Sequence, residues 1–100
     1  MSEVITDKTG RKIQLRRIGV LEQLRLFKAL GPELSLNDPY MDLAIIAASV
    51  SMIDGIPLLF PISEANVEAL LEKLGGDGVA AVDAALPARS LTAVVNEAGN

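Results

Sequence analysis

One hundred residues with a net charge of −4 allow a single domain built on one thin core. Half of the residues are hydrophobic, which excludes a disordered chain. Histidine and cysteine are absent, so the commonest general base, the commonest metal ligand, thiolate nucleophiles and disulfides are all excluded.

The chain begins with a hairpin pattern over about residues 3–16. Val4-Ile5-Thr6 leads into Asp7-Lys8-Thr9-Gly10, and Lys12 to Arg16 alternates polar with apolar, as a half-buried strand does. Val20, Leu21, Leu24, Phe27 and Leu30 then recur at helical spacing, predicting a first helix from Gly19 or Val20 to Leu30 that Gly31-Pro32 stops. After a loop from Ser35 to Asp38, Asn37 or Asp38 caps a second helix that begins on Pro39 and ends near Ser51.

That second helix is apolar nearly all round, since only Ser49 and Ser51 interrupt the run from Leu43 to Ile53. Two placements satisfy it: the helix is the central element, or one of its faces, carrying Leu43, Ile45 and Ile46, is a partner surface. Ile53-Asp54-Gly55-Ile56-Pro57 reads as a tight hairpin turn, with Pro57 confining the next segment to a sheet edge or a non-strand. Leu58-Leu59-Phe60 is an apolar loop that either packs across helix ends or anchors a partner.

Ser63 caps a third helix, with Val67, Leu70, Leu71 and Leu74 inward and Glu64, Glu68 and Glu72 in a solvated row. Gly75-Gly76-Asp77-Gly78 breaks the chain, and a fourth helix runs to about Leu86 before Pro87. The expected fold is mainly α (α+β): about four packed helices, a small N-terminal β-hairpin and a possible short Asp-Gly hairpin in mid-chain. Residues 1–86 form the domain, and 87–100 form a tail that is partly helical or disordered.

Residues 1–30 hold seven basic and three acidic side chains, and the remainder two basic and ten acidic. This polarity suits ordinary solvated faces, head-to-tail stacking of like molecules, or an acidic partner. Nucleic acid is not expected, because the chain is acidic overall and lacks interleaved aromatics. Asp38 and Asp42 lie at a helix start, where carboxylates favour the dipole. The glycine segment lacks the Walker spacing and its lysine, and no serine has a histidine partner. No catalytic, metal-binding or cofactor-binding residue is nominated, and an enzyme is not expected. With no basic-then-apolar start and no span-length apolar run, the sequence predicts a soluble cytosolic protein.

The order of segments carries a resemblance. Arg17-Ile18-Gly19 enters the first helix; Val50-Ser51-Met52-Ile53-Asp54-Gly55-Ile56-Pro57 follows the Ala-rich one. Pro61-Ile62-Ser63-Glu64 opens the next, and Leu74-Gly75-Gly76-Asp77-Gly78 closes it. Over about residues 3–86 this resembles the tail assembly chaperones of long-tailed bacteriophages and prophages. The resemblance implies a non-enzymatic protein that coats the tape-measure protein, keeps it soluble and helps recruit the tail-tube protein. It implies a homo-oligomer in the host cytoplasm, absent from the mature virion, with no membrane partner. Helix 2 (Leu43, Ile45, Ile46) and Leu58, Leu59 and Phe60 are then the surfaces to mutate. Many members also have a longer form made by ribosomal frameshift, and Ala98-Gly99-Asn100 is compatible with a slippery GGGAAAC in the gene. Two other readings are a structural virion component, such as a head–tail connector or tail-completion protein, and a small bacterial protein-binding adaptor.

Overall fold

The computed structural model describes residues 3–86. The expectations for residues 87–100, a partly helical or disordered tail and the slippery last codons, lie outside the described residues. Strands β1 (Glu3–Thr6) and β2 (Lys12–Leu15) form the first hairpin. Helices α1 (Val20–Ser35) and α2 (Asp38–Ser49) come next, then strands β3 (Val50–Ile53) and β4 (Ile56–Pro57), and finally helix α3 (Glu64–Ala85).

The expectation of about four packed helices is corrected: the described chain has three helices against one four-stranded antiparallel sheet of order β1-β2-β3-β4. Two local facts account for the difference. The Asp-Gly turn has both residues at positive φ (48° and 82°), the geometry of a tight two-residue hairpin. This hairpin does not stand alone, because β3 also pairs with β2. Asp54 extends that pairing: its N–H donates to the Lys12 carbonyl and its Oδ1 accepts from the Lys12 N–H, both at 2.8 Å. The second fact concerns the two glycine stops, each of which leaves helical backbone for one residue before helix follows again. Gly31 (φ 84°, ψ 173°) and Gly75 (φ 66°, ψ 178°) each kink a helix that resumes at once, so the expected third and fourth helices are the two arms of α3.

A bulge lies between β2 and β3, where Gln14 pairs with Met52 and Leu15 with Val50. Ser51, the extra residue, donates its hydroxyl to the Gln14 carbonyl at 3.0 Å. The core has two lobes that meet on α2. In one, Leu26 and Leu30 of α1 and Val67 and Leu70 of α3 pack on Met41, Ala44, Ile45, Ala47 and Ala48. In the other, Ile13 and Leu15 of the sheet meet Ile46, Val50, Leu74 and Val82. Every residue from Ala44 to Ser49 is buried, so α2 is the central element. The open choice at Ile45 and Ile46 resolves as core.

Candidate functional site

Each α1 residue that faces away from α2 is placed by helical periodicity. Val20, Leu21 and Leu24 are exposed, whereas Leu26 and Leu30 on the opposite side are buried. The kink then converts this apolar side into a concavity. Pro32 has no N–H to offer the Lys28 carbonyl, and Gly31 turns the chain. Beyond the turn, Ser35 Oγ donates to the Phe27 carbonyl at 3.2 Å. The result is an open groove of about 810 Å³ lined by Leu24, Phe27, Gly31, Pro32 and Leu36, with Lys28 the only charged residue along it among the described residues. A groove of this size lies within the range of binding sites for small apolar groups.

A second apolar feature projects outward. Leu59 is 89% exposed and Ile62 78% exposed, on the loop between β4 and α3. The loop is rigidly held. Pro61 is fully buried, and the Ile62 N–H donates to Asn66 Oδ1 at 3.2 Å while Ser63 Oγ caps α3 by accepting from the Asn66 N–H. From the sheet side, Arg16 Nη2 donates to the Leu58 carbonyl at 2.6 Å and the Val50 carbonyl at 3.0 Å, and the guanidinium lies 5.7 Å from the Phe60 ring centroid. Burial pushes the Arg16 pKa down, and its Nε is a buried donor with no hydrogen-bond partner among the described residues.

The residues singled out as a partner surface therefore separate. Ile45 and Ile46 are buried inside the chain and are no surface, which corrects that expectation. Leu43 is 40% exposed on α2. Leu58 and Phe60 are half-buried against the core, and Leu59 alone of that trio points out. The structure adds Leu21, Leu24, Leu36 and Ile62, which the sequence did not nominate. The available signal was that α1 carries apolar residues on more than one face. Helical spacing groups Val20, Leu21, Leu24, Phe27 and Leu30 as one set and leaves Leu26, the most deeply buried of the helix, outside it.

A polar cluster lies in the turn that joins β1 to β2. Asp7 Oδ1 accepts from the Thr9 hydroxyl (2.7 Å) and from the N–H groups of Thr9 and Arg11, and Oδ2 pairs with Arg11 Nε at 2.8 Å. These bonds, the Thr9 hydroxyl foremost, lower the Asp7 pKa to about 2. Arg11 also donates to the carbonyls of Lys73 and Leu74, immediately before the α3 kink. The cluster is a brace, with its donors and acceptors turned on one another. No group of three or more side chains suited to a metal ion occurs among the described residues.

No family model, curated protein or solved structure matches the chain.

Proposed function

We propose that this chain is a non-enzymatic assembly chaperone of the phage-tail type, which covers apolar helix faces of a tape-measure protein until tail-tube subunits enclose them. The reading rests on the order of segments along the sequence, and the observation that carries it is the open apolar groove at the α1 kink. A folded monomer with a closed core ordinarily leaves isolated apolar residues on its surface. Here Leu21, Leu24, Phe27, Pro32 and Leu36 gather along one element instead. An amphipathic helix laid in such a groove buries its apolar side by the helix-in-groove mode.

None of the described helices is long and apolar enough to cross a membrane. Action in the host cytoplasm and absence from the finished particle belong to this proposal. Co-expression with a tape-measure protein encoded nearby tests it. Wild type should keep that protein soluble and co-purify with it, whereas Leu24→Asp should lose both effects while remaining folded. A tape-measure protein that stays insoluble and unbound, or recovery of this chain from purified virions, overturns the reading. The second outcome favours a structural tail component.

A further inference from the structure

We infer that, before a client arrives, the α1 groove is occupied by the Leu59–Ile62 loop of a second copy of this chain. The inference rests on reading the groove as the docking face, and it adds what fills that face in the free protein. Two patches of opposite shape occur on one molecule. The groove is concave and lined by Leu24, Phe27, Pro32 and Leu36. The loop is convex and presents Leu59 and Ile62 from a backbone fixed by Pro61, Asn66 and Arg16. A rigid projection forfeits little conformational entropy on docking.

Charge matches as well as shape. Among the described residues, Lys28 is the only charged one lining the groove. Glu64, two residues beyond Ile62, is the only charged residue between Gly55 and Val67. Docking Ile62 beside Phe27 brings that carboxylate towards that ammonium. The same sense holds over the whole chain, with basic residues concentrated before residue 31 and acidic residues after it.

The two patches are distinct, so the contact is heterologous: each copy offers its loop to one neighbour and its groove to another. Such assembly continues as a ring or filament, and a client helix that enters the groove displaces a neighbour's loop. Self-association and client binding therefore compete for one surface.

The experiment uses the purified chain alone, so its outcome is independent of any tape-measure client. Leu24→Asp spoils the groove and Leu59→Asp spoils the loop, both at exposed positions, and circular dichroism confirms that each variant is folded. Sedimentation velocity at tens of micromolar should show wild type associated. Each variant alone should be monomeric, with association weakened at least tenfold. An equimolar mixture should form a 1:1 heterodimer, because one intact groove meets one intact loop. Charge reversal gives a second readout: Lys28→Glu or Glu64→Lys weakens association, and the two variants mixed recover part of it. A strictly monomeric wild type overturns the inference and leaves the groove to a client or to the chain's own residues 87–100. Loss of association in Leu24→Asp but not in Leu59→Asp overturns it too, since another surface then fills the groove. Two monomeric variants that fail to pair when mixed also overturn it, because they point to a symmetric contact.

Discussion

At the residue scale, Arg11 makes the side-chain hydrogen bonds of longest reach along the sequence among the described residues. Arg11 supplies the carbonyls of Lys73 and Leu74 with donors that the kink at Gly75 takes away from them. A cation there also meets the negative end of the first arm of α3. Replacing it by methionine, which keeps the stem, leaves those carbonyls without that partner. Arg11→Met should cost about 1–3 kcal/mol in urea unfolding. Asp7 gives the same cluster a pH signature. Its pKa falls from 3.8 to about 2 on folding, so the folded chain binds that proton more weakly than the unfolded one. The stabilisation is complete above the unfolded value and is lost as pH falls from about 4 through about 2. In an acid titration followed by circular dichroism, Asp7→Asn should be less stable than wild type at pH 7. The difference should close across that window. A gap that stays constant down to pH 2 would show that the carboxylate does not act through its charge. The Asp7–Gly10 loop was legible in the sequence, since Asp, Thr and Gly favour such turns. The reach of Arg11 was not: its acceptors are backbone carbonyls some sixty positions away, and any residue type supplies a carbonyl.

At the element scale, the glycines that interrupt the helical patterns break the helical backbone for one residue, and a second arm follows across a kink. Gly31 and Gly75 take a positive φ with ψ near 180°, a region open essentially to glycine alone. Sequence marks such a position but not the direction in which the chain leaves it. Here tertiary packing sets that direction. Val82 on the second arm of α3 is buried against the sheet, and Leu36, beyond the α1 kink, lines the groove. Gly75→Ala should therefore lose about 1–3 kcal/mol, although nothing lies within 4 Å of the added methyl, because the cost is backbone strain. Gly76 is the control. It too has open space around its Cβ position, and its φ is ordinary. Gly76→Ala should be neutral or more stable by up to about 1 kcal/mol, from helix propensity. Urea midpoints for the pair separate strain from packing, and equal effects would remove the strain account. The mid-chain hairpin was legible for the converse reason. Asp-Gly fixes both turn conformation and strand direction within four residues, whereas the pairing of β3 with β2 joins segments that no local pattern connects.

At the scale of the whole molecule, the apolar surplus is divided between an interior that α2 fills and a surface that α1 carries. Hydrophobic pattern alone leaves the uniformly apolar helix either central or available to a partner, and makes the periodic one ordinary core. An all-round apolar helix is satisfied when other elements surround it, and here α1, α3 and the sheet all lie against α2. The helix packed mainly on one neighbour is α1, whose far side stays open. This division predicts how aspartate substitutions sort. Ile45→Asp places a charge among Leu26, Met41 and Val67 with no counter-ion, at a cost of about 4 kcal/mol or more. Domains of this size have total stabilities of about 5–15 kcal/mol, so that variant should be largely unfolded or recovered as aggregate. Leu43→Asp, on the exposed edge of the same helix, should stay folded at a cost of about 1 kcal/mol or less. Leu24→Asp should also stay folded, and of the three it is the one whose binding should change. Thermal melts and sedimentation on the three proteins give each a different signature: loss of fold for the first, neither effect for the second, and loss of association alone for the third. If Leu43→Asp abolished association while Leu24→Asp preserved it, the working surface would move from the α1 groove to α2.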